Sequence, residues 1–382
     1  MGAAQDIPLG LYVHLPWCKR KCPYCDFNSH EATRDIPFTR YVDALLADLK
    51  TELAYVEGRP VDTIFIGGGT PSLFSGSAIR RLLDGLRKLI EWRGDIEITL
   101  EANPGAADAG RFEAYRAAGV NRLSIGVQTF SDRQLARIGR IHDAAAAYSA
   151  LDAARAAGFE NINIDLMFGL PGCRADDSLV DLRAAIALGP EHISWYQLTI
   201  EPGTAFAQES PELPAHDAIA STFDSGRGML TAAGYEQYEI SAYAQPGTRA
   251  HHNLNYWEFG DYIGIGAGAH GKLTTARGAF RTEKCCGPVA YMARAGAAGC
   301  EIRNGPLTDA QLVAEFAMNA LRLRRGYHEN LFTARTGLAA TAAAGPLREA
   351  CKRGWIEREA GVIRPTELGY RFLDDLQLLF VQ

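Results

Sequence analysis

Residues 9–25 read LGLYVHLPWCKRKCPYC, an apolar run followed directly by three cysteines. A short apolar run such as 9–14 predicts a buried strand. Cys18, Cys22 and Cys25 then bring three thiols within eight residues, close enough to bind one compact metal cluster. A cysteine loop placed directly after the first strand indicates both the fold and the chemistry to look for.

Comparable apolar runs recur along the first half of the chain, at 9–14, 63–66, 97–100, 122–127, 161–167 and 192–198. Between them, apolar residues fall at helical spacing in the stretches 41–55, 79–90, 111–118, 144–157 and 179–188. Repeated strand and helix units predict an α/β fold with a parallel sheet buried on both faces. Six such units are expected, in a sheet that is either open or curled into a barrel.

Polar and glycine-rich residues stand at the ends of these predicted strands, where parallel sheets gather functional groups. They are Cys18 after the first strand, residues 67–71 (GGGTP) after the second, Glu101 after the third, Gln128 at the end of the fourth, Asp165 within the fifth, and residues 196–199 at the end of the sixth. We expect all of them to face one rim of the sheet.

The pattern changes after about residue 202, which predicts a division of the chain into three parts. Residues 1–245 are predicted to form the domain built from the strand and helix units. Residues 246–305, which include a glycine-rich stretch, are predicted to be a linker region. Residues 306–382 are predicted to form a small, mainly α C-terminal domain, because helices around a short hairpin resemble a winged-helix module.

Composition narrows the class of protein. The formal charge of −6 over 382 residues argues against nucleic acid as a partner. No stretch is long and apolar enough for a membrane span, so a cytoplasmic location is expected. Eight cysteines in a cytoplasmic chain point to metal or redox chemistry instead of a disulfide framework. Outside the loop 18–25 we expect buried structural thiols, namely Cys173, Cys285, Cys286, Cys300 and Cys351.

Three thiolates on one loop suit an iron-sulfur cluster, since thiolates are the ligands of such clusters. With three donors for four irons, one iron keeps a position for an exchangeable ligand. The alternatives are unrelated buried cysteines and a zinc site, for which His14 or His30 would supply the fourth ligand.

The pattern CxxxCxxC in a chain of strand and helix units resembles the radical S-adenosylmethionine (SAM) superfamily. The motifs YVHLP, GGGTP, EANP, SIGVQ and DLMFGLP together resemble the oxygen-independent coproporphyrinogen III oxidase family within it. The resemblance implies a partial (β/α)6 barrel of the TIM type with a HemN-type C-terminal domain. It also implies a 4Fe-4S cluster held by Cys18, Cys22 and Cys25, whose electron cleaves SAM to methionine and a 5′-deoxyadenosyl radical.

The same resemblance implies the SAM site. Glycine at 68 and 69 would let backbone N–H groups approach the methionyl end, and Arg140 would pair with the SAM carboxylate. The alternative for the glycines is a tight strand-to-helix turn. The full set implied is Tyr12, Tyr24, Gly68, Gly69, Thr70, Glu101, Gln128, Arg140, Asp165 and Thr199.

Two departures separate the chain from the oxidase: Phe27 stands where the oxidase has a further cysteine, and only 11 residues precede Tyr12. Both resemble the HemW-type haem chaperone branch, as does the HNxxYW motif at 252–257. In that branch His252 would offer a nitrogen to haem iron, and Tyr256 and Trp257 would offer flat apolar surface. The alternatives are a structural histidine in an aromatic loop, and His251 as the ligand.

The leading expectation is therefore a haem chaperone that uses the cluster and SAM and delivers haem to respiratory haemoproteins, some of them membrane-bound. SAM cleavage and SAM binding alone are both compatible with the motifs, and so is a homodimer. The alternatives are the oxidative decarboxylase of coproporphyrinogen III and a scaffold with a structural zinc. Apolar residues at 376–381 suggest contact with a partner or a terminal helix docked on its own domain.

Overall fold

The structure is a computed structural model that describes residues 7–32, 35–106, 109–297 and 300–381. The strands are β1 (Leu9–Leu15), β2 (Trp17–Cys18), β3 (His30–Glu31), β4 (Val61–Gly68), β5 (Trp92–Ala102), β6 (Arg122–Gln128), β7 (Ile162–Phe168), β8 (His192–Gln197), β9 (Glu236–Glu239), β10 (Ala242–Ala244), β11 (Asp261–Ile265), β12 (His270–Thr275), β13 (Gly278–Lys284), β14 (Glu301–Asn304), β15 (Tyr327–His328), β16 (Ile356–Glu359) and β17 (Val362–Pro365). The helices are α1 (Phe38–Val56), α2 (Gly76–Leu89), α3 (Ala109–Ala118), α4 (Asp132–Arg137), α5 (Ala144–Ala156), α6 (Ala175–Leu188), α7 (Ala205–Glu209), α8 (His216–Ala232), α9 (His251–Trp257), α10 (Pro288–Arg294), α11 (Asp309–Ala320), α12 (Glu329–Thr336), α13 (Ala344–Lys352), α14 (Glu367–Arg371) and α15 (Leu373–Leu378).

The central feature is a twelve-stranded sheet in which β1, β4, β5, β6, β7 and β8 are neighbours in chain order. All of these neighbours pair in parallel. Each predicted strand is present, and helices α1, α2, α3, α5 and α6 lie in the connections where helical spacing was found. The predicted α/β fold with six βα units is therefore confirmed.

Alternation along the strands separates an apolar face from a polar one. In β1, Leu11 and Val13 are buried in the apolar core together with Leu45 and Leu49 of α1. Because successive side chains point to opposite faces, the alternate residues face the interior of the curved sheet, here called the lumen. Its lining is Tyr12, Thr63, Phe65, Glu97, Thr99, Glu101, Arg122, Ser124, Asn163, Asp165 and His192.

The stretch 246–305 differs from the linker expected of it. Its described residues supply α9, α10 and the strands β11 to β14. Strand β11 pairs in parallel with β1, and β12, β13 and β14 continue the sheet. Glycine at position 264 lets two backbone segments pack closely, because a Cβ on Gly264 would lie 1.9 Å from the carbonyl oxygen of His270. Sheet packing therefore accounts for the glycine at position 264.

The C-terminal part contains α11 to α15 and a three-stranded sheet in the order β15, β17, β16. This matches the expected helices around a short hairpin, and Phe372 separates the last two of these helices, α14 and α15. A second apolar core joins these elements, and Phe259 from the preceding stretch is part of it. Within the described residues, no helix is long and apolar enough to cross a membrane.

Candidate functional site

The cysteine loop begins at the carboxyl end of β1. Cys18 is buried, whereas Cys22 and Cys25 are half-buried, and all three are free thiols. The backbone N–H of Cys25 donates to the Cys22 carbonyl over 3.1 Å, which closes a turn between them. Burial raises the pKa of the Cys18 thiol. The loop therefore carries three cysteines that form no disulfide bond and can bind metal.

Arg140 lies beside this loop. Its Nη1 is 3.8 Å from the sulfur of Cys22, and its Nη2 donates to the Gly126 carbonyl over 2.6 Å. Burial alone would lower the pKa of Arg140, but Tyr24 and Cys22 outweigh it and raise that pKa. Its Nε is buried and has no hydrogen-bond partner among the described residues. A charged guanidinium with an unused donor suits both a thiolate and the carboxylate of a bound amino acid group.

The glycine loop after β4 packs directly against the segment that leads to Cys18. A Cβ on Gly69 would lie 2.7 Å from the Trp17 carbonyl oxygen, and the N–H of Thr70 donates to that oxygen over 2.8 Å. Gly68 has a φ of +117° and donates its N–H to Glu101 over 3.1 Å. The tight-turn alternative thus explains why glycine stands at 68 and 69, and the turn also brings the loop to the cysteines.

Two carboxyl groups face the lumen at this rim. Burial, followed by the charge of Asp165, raises the pKa of Glu101 to about 8. Asp165 accepts hydrogen bonds from Asn163 at 2.7 Å and from Ser124 at 3.0 Å, and burial raises its pKa. Glu101 is therefore largely protonated at neutral pH and can act as a hydrogen-bond donor to a bound polar ligand.

Gln128 and Tyr196 meet across the lumen. The Tyr196 hydroxyl donates to Gln128 Oε1 over 2.8 Å, and Gln128 has a φ of +71°, which is rare for a residue with a side chain. The sequence assigned no individual role to Tyr196, although its position at the end of the sixth strand indicated that it would lie at the rim. Thr199 is exposed two residues beyond β8, and its place in the SAM site stays a prediction.

Tyr12 lies on β1 ahead of the cysteine loop, and Tyr24 lies within the loop, between Cys22 and Cys25. The Tyr12 hydroxyl is 2.9 Å from Nδ1 of His14, whose Nε2 is 2.9 Å from the Asn28 carbonyl oxygen. Tyr24 packs near Phe206, and burial raises its pKa. Both ring nitrogens of His14 are therefore engaged, which leaves this histidine poorly suited to complete a zinc site. In the described ranges, no group of three His, Cys, Asp or Glu side chains is set for a single metal ion.

The donor set fits a 4Fe-4S cluster with SAM. Three thiols stand on one loop, a buried guanidinium with a free Nε lies at one of their sulfurs, and the glycine loop leaves no room for a Cβ. The residues predicted for the SAM site lie on the strands of the sheet or in the loops that follow them, namely Tyr12, Tyr24, Gly68, Gly69, Thr70, Glu101, Gln128, Arg140 and Asp165. Thiolate ligation would be favoured by the adjacent Arg140 charge.

The HNxxYW motif forms α9, beneath the lumen. His252 is 1% exposed, and its Nδ1 and Nε2 lie 2.8 Å from Thr63 Oγ1 and 2.8 Å from the Tyr256 hydroxyl. Its ring stacks on Phe65 at 5.3 Å between centroids. Burial, then the charge of Arg122, lowers its pKa to about 3. His252 is thus a neutral histidine with both nitrogens occupied, as the structural alternative expects, while His251 beside it is exposed.

Trp257 connects α9 to the C-terminal domain. The Arg322 guanidinium lies 4.2 Å from the Trp257 ring centroid, and Trp257 packs against the second core. Tyr256 makes an edge contact with Tyr262 at 4.6 Å. The motif therefore lies between the barrel sheet and the C-terminal helices.

The remaining cysteines differ in part from expectation. Cys300 is buried, and Cys173 and Cys285 are half-buried, but Cys286 and Cys351 are exposed. The expectation of buried thiols was wrong for those two. Cys351 lies in an amphipathic helix, α13, whose apolar face is already provided by Pro346, Leu347 and Ala350.

Comparison with known proteins identifies the class. A model of the radical SAM superfamily matches residues 12–180, and a model of the HemN C-terminal domain matches residues 307–372. The solved structure of coproporphyrinogen III oxidase (HemN) from Escherichia coli, described as a radical SAM enzyme, superposes with a TM-score of 0.83 and 23% identity over 100% of this chain and 92% of that one. Fold and site together define a radical SAM protein.

Full-length relatives narrow the class further. The haem chaperone HemW of Escherichia coli (strain K12) is 50% identical over 98% of both chains. The haem chaperone HemW of Haemophilus influenzae is 48% identical, again over 98% of both. That of Bacillus subtilis is 34% identical over 94% of this chain and 95% of its own. The chain belongs to the HemW family of radical SAM proteins.

Proposed function

We propose that this protein binds haem and transfers it to apo-haemoproteins, with a 4Fe-4S cluster and SAM bound at the rim of the barrel. The observation that carries the proposal is end-to-end similarity to relatives named haem chaperones, at 50% identity over 98% of the chain. The exposed Phe27 supports it, because the position that carries a further cysteine in the oxidase is here 59% exposed and apolar.

At the rim, Cys18, Cys22 and Cys25 hold the cluster. When bound, the cluster and SAM supply one-electron chemistry at the sulfonium. The chain's own groups orient SAM: Arg140 pairs with its carboxylate, and the glycine loop offers backbone N–H groups without steric obstruction. Glu101, protonated at neutral pH, donates a hydrogen bond to a hydroxyl or ring nitrogen of the nucleoside, and Gln128 and Asp165 complete that polar wall.

Haem binds, in this proposal, at the α9 segment. His251 is the exposed histidine at the start of α9, so its imidazole is open to iron. His252 holds Tyr256 in place through their 2.8 Å hydrogen bond, and Tyr256 and Trp257 supply aromatic surface beside the macrocycle. For His252 itself to ligate iron, the bond to Tyr256 would first have to break. We therefore propose that His251, and not His252, is the ligand of the haem iron.

The test is haem retention and transfer by the anaerobically reconstituted full chain. Absorbance titration with haem, followed by transfer to an apo-cytochrome, is compared for wild type, His251→Ala, His252→Ala and His216→Ala, the last an exposed control on α8. Loss of haem by His251→Ala with retention by His216→Ala is expected. Failure of the wild type to retain haem would end the proposal.

The second candidate function is oxidative decarboxylation of coproporphyrinogen III. The similarity of the fold to that of the oxidase, with a TM-score of 0.83, favours it, as do the SAM-site residues at the rim. An anaerobic assay with reductant and SAM decides between the two functions. Formation of protoporphyrinogen IX would place the oxidase first.

Haem acceptors include membrane-bound respiratory proteins in this proposal, reached by peripheral contact from the cytoplasm. Leu378 and Val381, exposed by 62% and 55%, offer apolar surface at the C-terminal end for such a contact. Replacing both by Ser is expected to slow transfer to a membrane-bound acceptor while haem retention is unchanged.

A homodimer is also compatible with the proposal. Light scattering of the same preparations measures the mass of the particle in solution and tests for it.

A further inference from the structure

Among the described residues, Arg122 is a buried cation that forms no ion pair. It is the first residue of β6 and faces the lumen, with 2% of its surface exposed. Its Nε has no hydrogen-bond partner, and within the described ranges no carboxylate lies at ion-pair distance from its guanidinium. A buried charge without a partner is strongly unfavourable, because neither water nor an opposite charge replaces its lost solvation.

A second unpartnered polar group stands beside it. Thr99 of β5 is the register partner of Arg122, it is fully buried, and its hydroxyl has no partner among the described residues. Both side chains are on the lumen face of adjacent strands. Two adjacent buried groups, each with donors to spare, indicate that an acceptor ligand belongs between them.

The neighbouring lumen groups are already engaged. Glu97 accepts the backbone N–H groups of His251 and His252, each over 3.0 Å. Asp165 accepts from Asn163 and Ser124. Neither carboxylate forms an ion pair with Arg122, although the charge of Arg122 acts on Asp165 over a longer distance and works against the rise in its pKa.

The nearby histidine is neutral and adds no competing positive charge. Burial, then the charge of Arg122, places the pKa of His192 well below its ordinary value. Its Nδ1 and Nε2 lie 2.6 Å from Asn163 and 2.8 Å from Tyr238. His192 therefore does not oppose an anion or repel Arg122 with a second positive charge at this end of the lumen.

We propose that Arg122 and Thr99 form an anion site in the lumen that takes a carboxylate. The guanidinium would donate two parallel hydrogen bonds to its oxygens, and the Thr99 hydroxyl would donate a third. The site is separate from the one at Arg140, because Arg122 and Gln128 stand at opposite ends of β6, about 20 Å apart at the usual strand rise. The carboxylate comes either from a free small acid or from a propionate of a tetrapyrrole, and this second source rests on the proposed haem function.

The test measures thermal unfolding of the reconstituted full chain during acetate titration at constant ionic strength. The wild type is expected to show a saturable rise in Tm, as binding to the folded state alone requires. Arg122→Met should lose this response, and Arg277→Met, an exposed arginine in the turn between β12 and β13, should keep it. Thr99→Val serves as a second variant in case Arg122→Met does not fold, and it should raise the acetate midpoint at least about threefold.

A second arm uses haem and haem dimethyl ester, whose propionates carry no charge. If the tetrapyrrole is the source, wild type binds haem at least about tenfold more tightly than the ester, as expected for one charge-assisted pair, and Arg122→Met binds both equally. The anion site is overturned if acetate gives no saturable response and Arg122→Met binds haem like wild type. That result leaves the proposed function standing, whereas an acetate response without any haem binding removes the function and keeps the site.

Discussion

The hydroxyl of Tyr256 is hydrogen-bonded to Nε2 of His252, four residues earlier in α9, over 2.8 Å. The spacing of the HNxxYW motif therefore builds a bond inside one helix, since residues four apart lie on the same face. Thr63 holds the other ring nitrogen. The histidine and tyrosine of the motif form a hydrogen-bonded pair, and the histidine fixes α9 against β4 through Thr63.

Removing the Tyr256 hydroxyl should destabilise the fold and leave the exposed His251 in place. Tyr256→Phe leaves His252 Nε2 without its partner and is expected to lower the free energy of unfolding by about 1 to 2 kcal/mol. Urea titration measures it, with Tyr148→Phe, a tyrosine of the exposed face of α5, as control. Unchanged stability of Tyr256→Phe would show that the hydrogen bond between His252 and Tyr256 contributes nothing to folding.

Acid should destabilise the fold through His252. Its pKa is about 3 in the folded chain against 6.5 as the ordinary value, so between these pH values the unfolded chain binds the proton and the folded chain does not. Stability is then complete above about pH 6.5 and falls as pH decreases, by up to about 1.4 kcal/mol per pH unit for this residue.

His252→Gln, which keeps hydrogen-bonding groups at the position, should reduce that slope between about pH 6 and pH 4. Chemical unfolding at a series of pH values provides the comparison. An identical slope in wild type and His252→Gln would show that folding does not lower the pKa of His252.

Iron loading should depend on each thiol of the loop. Cys22→Ser is expected to lose most of the iron after anaerobic reconstitution, because a neutral hydroxyl is a poor replacement for a thiolate ligand. Iron and sulfide are assayed in parallel with Cys351→Ser, an exposed cysteine far along the chain. Equal iron content in both variants would remove the cluster assignment.

The glycine loop should tolerate no side chain. In Gly69→Ala the new Cβ would lie 2.7 Å from the Trp17 carbonyl oxygen, so the segment leading to Cys18 must shift. A loss of about 1 to 3 kcal/mol in stability and reduced iron loading are expected. Gly94→Ala is the matched control, since a Cβ there meets nothing within 4 Å. Full iron loading and unchanged stability of Gly69→Ala would show that the loop adapts.

The strands, the rim and the cysteine loop could be predicted because each follows from the order of neighbouring residues in the sequence. Apolar runs gave the order of β1, β4, β5, β6, β7 and β8, and parallel strands bring their carboxyl ends together. The strands β11 to β14 were not recognised, since glycines that permit close backbone contact look like those of a flexible segment. The sheet position of Gly264 depends on His270, which sequence spacing does not reveal.

Burial of particular polar groups was the least predictable part of the site. His252 reads as a ligand in its motif, and only the packing of Thr63, Phe65 and Tyr256 around it shows an occupied ring. Arg122 was predicted only as the first residue of an apolar run. Its isolation depends on which lumen carboxylates bind elsewhere, and this is a property of the assembled sheet.

Phe259 and Ala279 share one apolar core with Phe316 and Leu347 of the C-terminal part. A chain cut after Asn304 would leave those two residues, and the Trp257 face under Arg322, open to water. The two regions should consequently melt in a single cooperative transition, and the winged-helix-like module cannot be removed as an accessory. Any movement of that module during haem delivery would have to carry α9 with it.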